Sequence, residues 1–271
     1  MRWMMMAALL IAATANSLCA EVPGRDANKL QALILTGYNM HPWRPMTEVL
    51  RQHLEATGRF EVRVNEEPAG ITRETLHGYD VVILNYTNYL GKFGPGFPEH
   101  TRQALLEHLK SGKGITAYHA ALSSFAEWPE YDRMIGGTWR EGSKHSPYHT
   151  YRVEFQVKDH PITAGLLPSF VQSDELNQGL HMQKHITVLA SGFDDPKNCY
   201  KNNPGLCGSG KYEPVMWVSD YNGGRVFTTA LGHDMASINS PGFIATFVRG
   251  TEWAATGKVT IAPPASLVET K

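Results

Sequence analysis

Two short, mostly apolar runs mark the first half of the chain, Lys29 to Thr36 (KLQALILT), closed by Gly37, and Asp80 to Asn85 (DVVILN). Runs of this length without polar alternation read as strands buried on both faces, the habit of a parallel sheet. Between them Met46, Val49, Leu50 and Leu54 recur at helical spacing, with Gly58 as the stop, and Phe60 to Val64 alternates like a shorter strand. Pro98 opens a second helical stretch whose buried stripe is Ala104, Leu105, Leu106 and Leu109, ending at Gly112-Lys113-Gly114. Ile115 to Tyr118 is the next strand and runs straight into His119. This alternation of strand and helix predicts a doubly wound α/β sheet with helices on both faces. The second half is richer in strands, at Tyr151 to Val157, Ile186 to Ala190, Val215 to Ser219 and Arg225 to Leu231, before a covering helix from Gly242 to Ala255. There is no internal repeat, and no linker divides the chain after its leader, so residues 21–271 read as a single domain.

The leader changes the compartment. Arg2, the apolar run Met4 to Thr14 and the small residue ending Ser17-Leu18-Cys19-Ala20 have the order of a secretory signal cleaved after Ala20. The apolar run is too short for a permanent membrane span, so the expected product is secreted, in the periplasm, with no membrane span after cleavage. Of the three cysteines, Cys199 and Cys207 then remain, in a polar, turn-rich loop. An oxidising compartment favours a local disulfide between them, with free thiols or a metal site as the alternatives. The formal net charge of -1 over 271 residues, with no basic stripe, gives no reason to expect a nucleic-acid partner.

The chemistry on offer is imidazole and carboxylate, the groups that bind borderline metals and move protons near neutral pH. In open α/β sheets ligands sit outside the carboxyl ends of the strands, and the segments containing His41 and Trp43, Tyr86, and Tyr118-His119 fall there. His119 follows a buried strand at the kind of elbow where related architectures display a nucleophile; as a histidine it suits a metal ligand or a general base, or a structural role. His145 and His149 flank Pro147, which makes a loop of that stretch, and histidine pairs in loops are often merely solvated. Asp174-Glu175 would ordinarily be a solvated turn or a helix cap, but apolar flanks and the nearby His181 give Glu175 a ligand or acid/base role. Leu231-Gly232-His233 ends an apolar strand and lifts an imidazole to the same sheet edge. No Gly-x-Ser-x-Gly, phosphate loop or elbow cysteine occurs.

Several motifs recur in a fixed order: Gly37-x-x-x-His41-x-Trp43, Gly112-Lys-Gly-x-x-x-x-His119-x-Ala121, Trp128-x-x-Tyr131-x-x-x-Ile135-Gly-Gly, His160-Pro-Ile, Asp174-Glu175-Leu176, Gly224-Arg-Val-Phe, Leu231-Gly-His233 and Arg249-Gly-x-Glu-Trp253-Ala. Together they resemble the ThuA (trehalose utilisation) family, from about Leu30 to Val259. The resemblance implies a flavodoxin-like sheet similar to class I glutamine amidotransferases, and a role with trehalose or related disaccharides. The amidotransferases carry a catalytic cysteine at the elbow where this chain has His119, so no glutaminase activity is expected.

The expectation from sequence is therefore a secreted carbohydrate-processing enzyme, a metal-dependent hydrolase, lyase or isomerase acting on a sugar, glycoside or keto-sugar. A divalent metal, zinc by its ligands, is expected on His119, Glu175 and His233, with His119, His149 and His181 as the catalytic candidates. His41, Trp43, Tyr86, Tyr118 and Trp128 are the expected sugar contacts, although aromatic side chains are more often core. The alternative is a non-catalytic carbohydrate-binding protein on the same fold.

Overall fold

A computed structural model describes residues 26, 28–89 and 91–269; the expected signal peptide, 1–20, lies outside the described residues. Nine strands form one mixed sheet: β1 (Leu30–Leu35), β2 (Phe60–Asn65), β3 (Val81–Leu84), β4 (Gly114–Tyr118), β5 (His149–Phe155), β6 (Ser169–Asp174), β7 (Thr187–Phe193), β8 (Tyr212–Tyr221) and β9 (Gly224–Thr229), in the order β2-β1-β3-β4-β9-β8-β7-β5-β6. The strands from β2 to β9 in that order are parallel, with Ala32 opposite Val81 and Thr229 opposite Tyr118, and those beyond β9 are antiparallel. The α/β class and the flavodoxin-like half read from the sequence are both present.

Period-two alternation divides the parallel strands between two cores. Ala32, Ile34, Val81 and Ile83 face one layer, which contains Met46, Leu50 and Leu54 of α1 (Trp43–Ala56) and Phe243 and Phe247 of the last long helix (Pro241–Thr256). Leu33, Leu35, Val82 and Leu84 face the other, with Ala104, Leu105 and Leu109 of the helix Glu99–Lys110 and Tyr131, Met134 and Ile135 of the helix Pro129–Ile135. Both faces are covered, which is why these strands read as apolar runs.

Direction decides where the site lies. The parallel strands β1, β3, β4 and β9 end at one edge of the sheet. Three reversals beyond β9 bring the start of β5 to that same edge and a fourth brings the end of β6 there, where His149 stands opposite Asp174. Asn39, His41, His119, Glu175 and His233 all follow strands that finish there. Among the described residues no helix is long and apolar enough to cross a membrane.

Candidate functional site

Three imidazoles converge at this edge. One ligand-capable atom from each of His41, His119 and His233 lies within 4.8 Å of the others, and the ring centroids are 4.8 Å (His41 to His119), 4.7 Å (His41 to His233) and 5.6 Å (His119 to His233) apart. Each ring has a defined hydrogen-bond partner. His119 Nδ1 lies 2.8 Å from the Ala230 carbonyl oxygen, which only accepts, so Nδ1 carries the proton and Nε2 is left with its lone pair. His41 Nδ1 lies 2.8 Å from Asn39 Oδ1, which is fixed in turn because Asn39 Nδ2 donates to Asn85 Oδ1. His233 Nδ1 lies 3.1 Å from both Glu175 Oε2 and His41 Nε2.

Backbone geometry aims these rings. His119 begins a 3-10 turn directly after β4, with φ of 37°. Histidine tolerates the left-handed region better than most residues, yet such a conformation costs roughly 1–3 kcal/mol and is held only where its surroundings fix it. Here the Ala230 carbonyl and its buried surroundings fix it. Before His233, Gly232 adopts φ of 105° with its would-be Cβ only 2.4 Å from Tyr118 Cε2, so the chain passes tightly over a core tyrosine whose hydroxyl donates to the Gly232 carbonyl.

Asp174, completely buried, secures this turn. Its Oδ2 accepts from Gly232 N at 2.6 Å and Gln172 Nε2 at 3.2 Å, and its Oδ1 from His233 N at 3.1 Å and Glu175 N at 2.9 Å. Adjacent residues at a strand end point to opposite sides. Asp174 therefore turns inward to the backbone, while Glu175 turns outward, its Oε2 on His233 and its Oε1 3.4 Å from His145 Nδ1.

Electrostatics sort the group into neutral and charged members. Burial, then the neighbouring His119, His233 and His145, push His41 down to about 2. Burial pushes His119 down to about 4, against the Ala230 carbonyl. The Glu175 hydrogen bond instead raises His233. For Glu175 burial works upward, but His233, His145 and His119 together hold it below the usual carboxylate range. Burial lifts Asp174 to about 6 against its four N–H donors. At neutral pH His41 and His119 are uncharged imidazoles, while the contact between His233 and Glu175 favours the charged form of each.

In front of the cluster lies a crevice of about 130 Å³, lined by His41, His119, His145 and Glu175 and walled by Met40, Tyr89, Leu122 and Trp139, with Ser123 and Asn177 as further polar groups. That is well below the roughly 300 Å³ at which pockets for drug-sized ligands begin, so it suits a single ring or smaller group.

The structure rearranges the sequence-derived assignments. His41, expected to touch substrate, sits in the imidazole cluster. Glu175, expected as a ligand beside His119 and His233, lines the crevice with one oxygen on His233 and the other facing His145, while the imidazole that groups with His119 and His233 is His41. His149 lies at the start of β5 with Nδ1 2.8 Å from the Pro147 carbonyl and its ring against Tyr151; it does not line the crevice. Exposed His181 places Nε2 3.1 Å from the Glu141 carbonyl, also away from it. Tyr86, Tyr118 and Trp128 are core residues: Tyr86 packs on Phe97 and Phe125 and donates to the Pro95 carbonyl, Tyr118 packs on Phe243, and Trp128 packs on Phe125 and Tyr131. Half-buried Trp43 opens α1 with the Arg44 guanidinium 4.1 Å from its ring centroid. The crevice aromatics are instead Tyr89 and Trp139, which no periodicity or motif had marked, while Asp174 was passed over in favour of its neighbour. Cys199 and Cys207 are disulfide-bonded, and the hairpin they close (Cys199–Tyr200 and Asn203–Cys207) brings the Tyr200 hydroxyl to 3.0 Å from His145 Nδ1.

Comparison with known proteins agrees with the motifs. A ThuA-like protein from Parabacteroides merdae is 30% identical, with a TM-score of 0.75 over 89% of this chain and 95% of its own. A second ThuA-like protein, from Bacteroides uniformis, is 21% identical, with a TM-score of 0.65 over 90% of this chain and 98% of its own. A cytoplasmic protein from Salmonella typhimurium is 13% identical, with a TM-score of 0.57 over 83% of this chain and 99% of its own. The last two similarities speak to the fold alone. No curated protein sequence matches the chain. The model of the ThuA family, described as trehalose utilisation, matches residues 31–254, and the chain belongs to that family, with the carbohydrate-related role its description carries.

Proposed function

We propose that this protein is a secreted, periplasmic, metal-dependent enzyme that acts on a sugar, glycoside or keto-sugar at the His41–His119–His233 cluster. The observation that carries the reading is the convergence of three imidazoles within 4.8 Å, with His41 and His119 each turning Nδ1 to an oxygen, of Asn39 and Ala230, and His233 bonded to Glu175. A histidine that ligates a metal commonly gives its other ring nitrogen to a carbonyl or carboxylate in this way, which fixes tautomer and orientation. Three nitrogen donors suit zinc, which when bound polarises a carbonyl or activates water through an open position.

The chain's own residues supply the rest. His41, His119 and His233 hold the ion, and Glu175 keeps His233 oriented and balances charge. Trp139 and Tyr89 offer apolar faces to the face of a sugar ring, while buried Leu122 keeps water from the inner wall. A carbohydrate with a carbonyl or a glycosidic carbon placed at the cluster is open to hydrolysis, elimination or isomerisation. With His119 at the elbow, glutaminase chemistry lacks its nucleophile. The disulfide supports export to an oxidising compartment.

The test is elemental analysis of the purified and zinc-reconstituted protein beside His41→Ala, His119→Ala and His233→Ala, followed by release of nitrophenolate from nitrophenyl glycosides and their keto derivatives. One zinc per chain, lost in each variant together with turnover, is expected. Absence of bound metal, with sugar turnover and binding unaltered by all three substitutions, refutes the reading; sugar binding without turnover in the zinc-loaded protein leaves the binding-protein alternative.

A further inference from the structure

His145 stands beside the cluster without belonging to it, and its surroundings determine its tautomer. Nδ1 faces three oxygens: the Ser146 carbonyl at 3.0 Å, the Tyr200 hydroxyl at 3.0 Å and Glu175 Oε1 at 3.4 Å. The carbonyl can only accept, and an ionised carboxylate can only accept, so Nδ1 must carry the proton. The other ring nitrogen, Nε2, then keeps its lone pair, and the ring lines the crevice next to Trp139, at 5.8 Å between centroids. Exposed histidines elsewhere are arranged the opposite way. His100, His181 and His185 each turn Nε2 toward a backbone carbonyl, of Ala69, Glu141 and Arg133 respectively.

A proton-transfer residue needs one ring nitrogen fixed by an orienting group and the other open to the reacting atom. His145 meets that requirement. Its carboxylate partner, Glu175, is shared with His233, so one side chain links the proposed ligand set to a candidate base. Its hydroxyl partner, Tyr200, arrives on a hairpin closed by the Cys199–Cys207 disulfide.

We propose that His145 is the general acid/base of this crevice, removing a proton from a hydroxyl or from a carbon next to a carbonyl and returning it to the leaving or adjacent oxygen, with Glu175 and Tyr200 as positioning residues. The proposal rests on the carbohydrate-enzyme reading for its substrate, but its geometry is testable without one. Long-range proton–nitrogen spectra of histidine-labelled protein at pH 7.5 report each tautomer directly. The expected result is the Nδ1–H form for His145 against the Nε2–H form for His100, His181 and His185, with the Nδ1–H form of His145 kept in Tyr200→Phe because the Ser146 carbonyl and Glu175 still accept. A His145 found with its proton on Nε2 overturns the proposal.

The kinetic arm uses the zinc-loaded protein and whichever nitrophenyl glycoside or keto-glycoside it turns over. His145→Gln is expected to lower kcat by about 10²- to 10⁴-fold, the usual weight of a positioned acid or base, with zinc stoichiometry kept at the wild-type value. Tyr200→Phe is expected to lower kcat less and to shift the pH profile, which a merely structural residue would not do. Unchanged kcat in His145→Gln overturns the proposal while leaving the metal reading standing; loss of zinc binding in the wild type does the reverse, leaving the tautomer assignment intact.

Discussion

Replacing Gly232 by Ala tests whether the turn before His233 is as tightly built as its contacts imply. The backbone there has φ of 105°, a conformation that side-chain-bearing residues rarely adopt, and the new Cβ would lie 2.4 Å from Tyr118 Cε2 and 2.9 Å from Phe243 Cε2. Both rings are in the core, at 1% and 0% exposure, so neither can swing into solvent. Backbone strain of roughly 1–3 kcal/mol and overpacking of roughly 1–3 kcal/mol give a combined loss of about 2–6 kcal/mol. In a domain of this size each kcal/mol lowers Tm by about 2–4 °C, so the expected drop is roughly 4–24 °C. Gly58, after α1, is the control: φ is 69° but nothing lies within 4 Å of its would-be Cβ. Gly58→Ala should therefore cost only the backbone component, about 1 kcal/mol. Calorimetry of the two variants isolates the packing cost, and zinc titration of the folded protein reads the displacement of His233. If Gly232→Ala melts no lower than Gly58→Ala and binds zinc as the wild type does, the tight-turn argument is wrong.

Two further outcomes follow from buried ionisable groups. His108, on the buried face of the helix Glu99–Lys110 with Nε2 3.1 Å from the Gly114 carbonyl, is pushed from 6.5 down to about 4, by burial first and then by Lys113. The unfolded chain therefore takes up this proton before the folded one does. The stability associated with the neutral ring is complete above pH 6.5 and is lost as pH falls toward 4, by about 3 kcal/mol at roughly 1.4 kcal/mol per unit; urea unfolding across that range should be flatter in His108→Gln, and an unchanged slope would count against it. Asp174→Asn presents an amide where four N–H groups converge, so one oxygen's pair of donors loses its acceptor. Zinc affinity at pH 7.5 is expected to fall about 10- to 100-fold, the usual effect of disturbing the support behind a ligand; titration giving wild-type affinity would remove Asp174 from the site.

The strands that could be read in advance were those whose surroundings are simplest. β1, β3 and β4 are buried on both faces, so their composition alone announces them, and α1 announces itself through Met46, Leu50 and Leu54 on one face. β6 escaped notice for a physical reason. Its inward positions are Phe170, Gln172 and Asp174, while Val171 is 58% exposed, so the usual alternation is inverted just where the sheet supports the site. Gln172 and Asp174 are buried as hydrogen-bond partners of the Gly232–His233 turn and the segment around Ser237 and Ser240. The helix Pro129–Ile135 spans too few turns for a hydrophobic period to emerge.

The same logic separates the site residues that sequence ranked well from those it did not. Strand ends were identifiable, and His119 and His233 with them, but a strand end does not say which side chain turns outward. Tyr118 and His119 are consecutive, yet one packs into the core and the other faces the cluster; Asp174 and Glu175 divide in the same manner. His41 depended on a loop conformation set by Asn39 and Asn85, and His145 on a hairpin closed by a disulfide more than fifty residues away. Arg249-Gly-x-Glu252 shows the converse, a motif conspicuous in the sequence that serves the opposite end of the sheet. Arg249 donates to the carbonyls of Pro161, Ile162, Ala164 and Ile261, and Glu252 accepts from the backbone of Thr260 and Ile261. These bonds clamp the turn beyond β5 to the closing segment of the chain. A family motif thus marks either chemistry or closure of the fold, and the direction of the strand beside it tells which: residues after the ends of β1, β4, β6 and β9 meet the crevice, and those after the end of β5 cannot.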